Sequence, residues 1–382
     1  MKFQVVLFAN TEWYLYNFRR SLALALQRRG YEVLLLSPPG PYGAKLRDLG
    51  LRWEPLPMQR RSLNPIREFI LLWRLVALFR RERPVLVHNF TIKCAVYGSL
   101  AARIAGVVAR INAVAGMGYV FTSNELKARV LRPIVRGLMR RALGGGGARL
   151  VLQNGDDVAL FERAGLAKPE NVRLIRGSGV DCQRFCPTGA ALEVRRQGNA
   201  PCVLLAARLL WDKGIAEYVE AARILRAQGR SVRFLLAGDP DPGNPAAIPV
   251  EKIQAWASEN FIDWLGHVDD MAALYARVDI VALPSYREGL PKSLIEAAAC
   301  GLPLIAANVP GCREVITDGV DGLLVPVRDG AALAKAIAQL LDDPALAVRL
   351  GSSARTKALA EFDERIVIDK TMAVYTELLP QA

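Results

Sequence analysis

Hydrophobic and polar positions alternate along this chain in a simple rhythm. Short, nearly unbroken apolar runs are followed by longer stretches in which apolar residues recur every three or four positions. The first pattern is that of buried strands and the second that of amphipathic helices. In the first half the runs predict strands near residues 3–8, 32–37, 52–56, 85–90, 109–114, 149–153 and 172–175. In the second half they predict strands near 202–207, 233–237, 261–265, 279–284, 303–307 and 322–326. Helical spacing closes the chain over 329–341, 344–361 and 363–379. Strand and helix in strict alternation mean parallel sheets covered by helices on both faces, an α/β fold.

The periodicity lapses once, where Gly177, Gly179, Pro187, Gly189, Gly198 and Pro201 cluster. A chain of 382 residues is too long for one ordinary core and suits two. The expected division is two Rossmann-like domains, 1–180 and 181–362, with a final segment 363–382 that packs back on the first. Sheets of this kind bind ligands at the carboxyl ends of their strands, so two facing domains would share a cleft. No short fixed repeat is present, which excludes a solenoid.

The densest chemistry lies in residues 284–303, Pro-Ser-Tyr-Arg-Glu-Gly-Leu-Pro-Lys-Ser-Leu-Ile-Glu-Ala-Ala-Ala-Cys-Gly-Leu-Pro. A strand runs into a turn bearing Glu288, Gly289 and Leu290, and Pro291 is expected at the first position of a helix, its favoured place. The amides of such a first turn, with the helix dipole, suit phosphate. Gly289 lets the backbone approach a ligand, and Glu296 falls a turn and a half into the helix. On spacing alone, an ordinary strand–turn–helix unit with two solvated glutamates fits equally well. A second stretch, 203–214, reads Val-Leu-Leu-Ala-Ala-Arg-Leu-Leu-Trp-Asp-Lys-Gly; it delivers Arg208 after a buried strand and Lys213 at an expected helix start.

These two stretches resemble the glycosyltransferases of family 4 and their GT-B relatives. Glu288 and Glu296 stand at the two positions of that family's E-x₇-E region. The resemblance implies a GT-B fold and a retaining transfer from a nucleotide sugar. It also implies roles. Arg208 and Lys213 would clamp the donor diphosphate, and two cations suit a departing diphosphate because they neutralise the charge that develops. Glu288 would hold the transferred sugar, Glu296 the ribose, and the backbone near Gly289, Leu290 and Pro291 would complete a phosphate cradle. Gly266-His267-Val268, after a strand, matches the base-contacting loop, where backbone rather than the His267 side chain does the work. In the first half, Tyr16-Asn17-Phe18-Arg19, Arg61-Ser62-Leu63-Asn64-Pro65, Thr91-Ile92-Lys93 and Gly116-Met117-Gly118 resemble members that extend saccharides on a polyprenyl-diphosphate carrier. Asn17, Arg19, Lys93, Gly116 and Gly118 are therefore the acceptor-side candidates, with Lys93 expected to point a cation into the cleft.

Two departures qualify the match. The Gly-Gly turn that many members carry after the first strand is replaced by Ala9-Asn10-Thr11-Glu12. The histidine that many carry after the fifth strand has Ala115 and Gly116 in its neighbourhood, so no general base carries over from there. His88 lies on the fourth strand and reads as structural. Asp239-Pro-Asp241 imitates a metal-binding Asp-x-Asp but sits in a Pro/Gly loop, and neither metal nor cofactor is expected. The six cysteines are scattered without zinc or redox spacing, and read as reduced thiols.

Charge adds the last element. The chain carries a net +13, but residues 1–185 hold 30 Lys and Arg against 12 Asp and Glu, while the remainder holds 20 against 25. A basic first half implies an anionic partner. Residues 65–83 and 126–141 supply amphipathic helices. The first carries Phe69, Leu72, Trp73, Val76 and Phe79 with Arg80, Arg81 and Arg83; the second carries Lys127, Arg129, Arg132, Arg136, Arg140 and Arg141. Apolar stripes flanked by arginine suit an anionic membrane surface. No charge-free window is long enough to span a bilayer, and no signal peptide is recognisable. The expected partners are a UDP-sugar, a lipid-linked saccharide and the inner face of a bacterial cell membrane, with no nucleic acid. Two alternatives stay open: a nucleotide-sugar 2-epimerase, also built from two Rossmann-like domains, and a non-catalytic basic anion-binding protein. A dinucleotide oxidoreductase is excluded, because no Gly-x-Gly-x-x-Gly follows the first strand.

Overall fold

A computed structural model describes residues 3–59, 62, 64–114, 126–187, 200–241 and 243–379, with backbone alone for residues 126–132 and 134. The chain forms two compact units. One comprises Met1–Ser178 with Arg365–Ala382, the other Gly179–Glu364.

The first unit begins with β1 (Gln4–Phe8), α1 (Glu12–Phe18), α2 (Arg20–Arg28), β2 (Glu32–Ser37), α3 (Tyr42–Asp48) and β3 (Arg52–Pro55). It continues with α4 (Pro65–Glu82), β4 (Leu86–Phe90), α5 (Ile92–Ala105), β5 (Ala109–Ala113), α6 (Leu126–Leu143), β6 (Ala148–Leu152), α7 (Gly155–Arg163) and β7 (Val172–Leu174). The strands form one parallel sheet in the order β3-β2-β1-β4-β5-β6-β7. Strands β1, β4 and β5 are buried along their whole length. That is why they read as continuous apolar runs rather than alternating ones.

The second unit holds β8 (Cys202–Ala206), α8 (Ile215–Ala227), β9 (Arg233–Ala237), α9 (Val250–Ser258), β10 (Asp263–Gly266), α10 (Met271–Tyr275) and β11 (Ile280–Leu283). Then follow α11 (Lys292–Ala299), β12 (Leu304–Ala307), α12 (Pro310–Val315), β13 (Leu323–Val325), α13 (Gly330–Asp342) and α14 (Pro344–Lys357). Its sheet is again parallel, ordered β10-β9-β8-β11-β12-β13. Both sheets reverse winding direction at one place, between β1 and β4 and between β8 and β11. Such switch points open a crevice at the carboxyl ends of the strands.

α15 (Glu364–Thr376) belongs almost wholly to the first unit. Val367, Ile368, Val374 and Tyr375 of this helix enter the same apolar core as β1 and β4. Glu377 just beyond it takes ion pairs from Arg149 on β6 and Arg173 on β7, both at 2.7 Å.

Three local expectations need correction. Lys213 does not start a helix; it closes a 3₁₀ turn (Trp211–Lys213), and Gly214 at φ 70° separates it from α8. Gly214 also abuts the carbonyl of Pro284 so closely that any side chain would collide, which is why glycine stands here. Pro291 is the residue before α11 rather than its first, with extended dihedrals of φ −76° and ψ 105°. The run 344–361 is not one α-helix: α14 ends at Lys357 and a π turn occupies Ala358–Phe362.

Candidate functional site

The second unit gathers the chemistry at the carboxyl ends of β8 and β11, its switch point. The loop after β8 carries Lys213 and the loop after β11 carries Glu288. Their side chains meet, Lys213 Nζ to Glu288 Oε1 at 2.6 Å, with side-chain exposures of 18% and 11%. Two contacts hold the loops together: Tyr286 N donates to the carbonyl of Asp212 at 2.8 Å, and Gly214 packs on Pro284. The cation and the carboxylate satisfy each other.

Arg208 stands two residues past β8, half exposed, and donates to Asp241 Oδ2 at 2.8 Å. Asn244 Nδ2 shares that oxygen at 2.9 Å. The Asp-Pro-Asp loop therefore supplies a partner of Arg208. His267 follows β10 and lies exposed between Asp239 and Asp269, 3.4 Å from each, while Val268 packs on the core of the unit. Gly289, Leu290 and Pro291 lead into α11, which no side chain caps.

Glu296 is more buried than a solvated helix carboxylate. It is on α11 as predicted but 9% exposed, its Oε2 receiving Tyr275 OH at 3.4 Å and its Oε1 lying 3.5 Å from Lys292 Nζ. Burial raises its pKa above the ordinary carboxylate value, against the opposing pull of Lys292.

Sequence reasoning missed three supports. Tyr286 OH donates to Glu217 Oε1 on α8 at 2.6 Å, and the Arg328 guanidinium covers the Tyr286 ring at 4.7 Å. Gly311, the second residue of α12, meets the backbone of the Glu288 loop. A Cβ there would fall 2.5–2.7 Å from the carbonyls of Gly289 and Glu288. Cys312 is wholly buried, and burial pushes its thiol far up, with the charge of Glu288 adding to the shift. Only the Val-Pro-Gly sequence after β12 hinted at a close approach.

In the first unit the acceptor-side candidates separate. Lys93 does not present a free cation. Its Nζ binds Glu68 Oε1 at 2.7 Å, Gln59 O at 2.7 Å and Ser62 O at 3.2 Å, tying α5 to the start of α4. Thr91 before it sits at φ 75°, a strained backbone for a β-branched residue, at the carboxyl end of β4. Arg19 is 6% exposed, donates to Tyr14 OH at 2.8 Å and lies 4.4 Å from the Phe90 ring. Asn17 Nδ2 donates to Trp13 O at 3.0 Å. His88 is buried against Tyr375, with Nδ1 2.8 Å from the hydroxyl, and burial with the nearby Arg19 charge drives its pKa well below the usual histidine value. Gly116 and Gly118 lie outside the described residues, as do Arg61, Leu63 and the side chains of Lys127, Arg129 and Arg132.

The apolar stripe of α4 divides. Leu71, Leu75, Val76, Leu78 and Phe79 face the core, whereas Ile66, Phe69, Ile70 and Trp73 are exposed by 44–69%. Among the described residues no helix is long and apolar enough to cross a membrane.

Two parallel-sheet Rossmann-like units, each with a switch point, define a GT-B architecture, and comparison with known proteins identifies the family. Residues 4–143 match the model of the glycosyl transferase 4-like domain, and residues 200–343 that of glycosyl transferases group 1. The chain belongs to these GT-B glycosyltransferases and is a glycosyltransferase. It is 29% identical over 372 residues, 96% of each chain, to the N,N'-diacetylbacillosaminyl-diphospho-undecaprenol alpha-1,3-N-acetylgalactosaminyltransferase of Campylobacter jejuni. It is 24% identical to the UDP-Gal:alpha-D-GlcNAc-diphosphoundecaprenol alpha-1,3-galactosyltransferase of Escherichia coli, across 85% of this chain and 83% of that one. Among solved structures, Anabaena HepE in complex with UDP superposes with a TM-score of 0.80 at 21% identity, covering 99% and 100% of the two chains.

Proposed function

We propose that this enzyme transfers a hexose or N-acetylhexosamine from a UDP-sugar to a polyprenyl-diphosphate-linked saccharide, with retention of configuration. The observation that carries the reading is the Lys213–Glu288 pair, 2.6 Å apart at the switch point of the second sheet. On this reading the second unit, 181–362 in the sequence division, takes the donor. The donor diphosphate replaces Glu288 as the partner of Lys213 and Asp241 as the partner of Arg208. Glu288, freed from its cation, accepts from hydroxyls of the transferred sugar. As the glycosyl bond breaks, Arg208 and Lys213 neutralise the charge on the departing diphosphate, which takes the proton of the acceptor hydroxyl attacking from the same face. Glu296 turns from Lys292 toward the ribose. Amides near Gly289 and Leu290 complete the cradle.

The first unit takes the lipid-linked acceptor, and the chain works peripherally on the inner face of the bacterial membrane. Two features support this. The two relatives named above act on undecaprenyl-diphosphate saccharides. The exposed Ile66, Phe69, Ile70 and Trp73 form one helical stripe beside basic Arg67, Arg74 and Arg80.

Donor hydrolysis and binding across UDP-, GDP- and ADP-sugars test the reading, comparing wild type with Lys213→Ala and Glu288→Ala. Release of UDP from one sugar, lost in both variants, is the expected result. Binding of no nucleotide sugar by folded protein would sink it. Accumulation of an epimerised nucleotide sugar without acceptor would replace it with the epimerase.

A further inference from the structure

At the opposite end of the first sheet, where its strands begin, cations gather that form no ion pair with a carboxylate among the described residues. α5 ends at Ala105, β5 begins at Ala109, and α6 runs through Gly144–Gly147 into β6. Arg103, Arg110 and Arg140 lie here, with Arg141 next to Arg140 along the chain. The bonds of the first three side chains engage backbone carbonyls. Arg103 Nη1 donates to Arg141 O at 2.7 Å, Arg110 Nη1 to Val107 O at 3.3 Å, and Arg140 Nε to Gly165 O at 2.7 Å. Among the described residues, none of the four has a carboxylate partner. Nearby Arg149 and Arg173, in contrast, share Glu377.

Arg110 is the unusual member. It is 7% exposed, and its Nε is sealed from water without a partner. Burial, and then the charge of Arg103, lower its pKa below the ordinary arginine value. A buried charge without a counter-ion is costly, and the usual remedies are a carboxylate or a bound anion. The first is absent among the described residues. Gly145 lies close by: a Cβ at its position would fall 3.6 Å from Arg110 Nη2, and its φ of 97° is one that glycine adopts readily. The amides of Gly145, Gly146 and Gly147 make no hydrogen bond among the described residues. Successive free amides in a glycine turn form a concavity suited to an anion.

We propose that this end of the sheet is a phosphate-binding site, in which the amides of Gly145–Gly147 and the guanidiniums of Arg103 and Arg110 hold one phosphate group, with the charge of Arg141 close along the chain. It lies in the unit that does not carry the donor loops, at the end of the strands away from the acceptor-side candidates. The phosphate belongs either to a phospholipid headgroup or to a soluble phosphate ester. Val108 and Ile104, 71% and 44% exposed, flank the site and offer an apolar footing to the first.

Thermal unfolding with inorganic phosphate and glycerol phosphate, and flotation with phosphatidylglycerol against phosphatidylcholine vesicles, test the site. Three proteins are compared with wild type: Arg110→Met, Arg103→Gln/Arg141→Gln and Lys213→Ala. Phosphate should raise the wild-type midpoint. Arg110→Met should start no lower than wild type, because the buried charge is gone, and bind phosphate about tenfold more weakly or worse. The surface double variant guards against misfolding and should weaken binding too. Lys213→Ala should keep the response, which separates this site from the donor loops and from the transfer reaction. Vesicle binding lost in Arg110→Met with no soluble response assigns the phosphate to lipid, and the converse assigns it to a soluble ester; both support the site. Full responses in Arg110→Met and in the double variant, or no response of either kind in wild type, overturn it.

Discussion

Lys213 and Glu288 form a close ion pair, 2.6 Å from Nζ to Oε1, with both side chains mostly buried. Each is charged and largely out of water, so each is tolerable only with the other. Lys213→Met should therefore destabilise by about 1–3 kcal/mol, since it strands a buried carboxylate, and Lys213→Met/Glu288→Gln should recover part of that loss. Denaturant unfolding of the four proteins of the cycle measures the coupling; additive losses would show that the pair contributes nothing. Glu296 carries the opposite sign. Burial raises its native pKa, so native protein binds this proton more tightly than unfolded chain does. Its contribution to stability is greatest below the unfolded carboxylate pKa, falls as pH rises toward the native pKa, and stays low above it. Glu296→Gln should accordingly raise the melting temperature at pH 7 and weaken nucleotide binding. Unchanged melting and unchanged affinity together would leave Glu296 without either role.

At the scale of elements, the site depends on how closely neighbouring loops approach. α12 meets the Glu288 loop through Gly311, where a methyl group would overlap two carbonyls. Gly311→Ala should displace Glu288 and lower kcat/KM for transfer by roughly tenfold or more while the protein remains folded, the size of effect expected for a misplacement near 1 Å. Circular dichroism and steady-state kinetics check both halves. α4 is pinned to the sheet edge by Glu82, which binds Arg52 at 2.7 Å and Arg81 at 2.8 Å. The hydrogen bond from Arg52 leads the causes that bring the Glu82 pKa down from 4.5 to about 2. The stabilisation is complete above the unfolded value and is lost as pH falls through the native one. Glu82→Gln should thus be less stable than wild type at pH 6, with the gap closing between about pH 4.5 and 2. A gap independent of pH would assign the effect to packing instead.

At the scale of the whole molecule, the last residues complete the unit formed by the first ones. Val367, Ile368, Val374 and Tyr375 fill its core, and Glu377 neutralises Arg149 and Arg173. Deleting residues 365–382 should expose that core and lower the first unfolding transition by several degrees, seen by calorimetry and dye binding, whereas Glu377→Gln should cost far less. Equal melting of the 382-residue and truncated proteins would show that α15 is dispensable.

The sequence by itself determined the strands, the two-unit α/β plan and the pairing of a motif after β8 with one after β11. These are legible because buried parallel strands need unbroken apolar runs, and because glycine and proline must stand where loops turn sharply. Tertiary structure alone decided which charges are spoken for. Lys93 and Arg208 read as free cations along the chain, yet Glu68, 25 residues from the first, and Asp241, 33 from the second, take them up. It also decided which side of α4 faces out, since Phe69 and Phe79 look alike in one dimension but differ in burial from 61% to 1% exposed. Pairing and burial depend on neighbours brought close by the fold, and local periodicity carries no record of them.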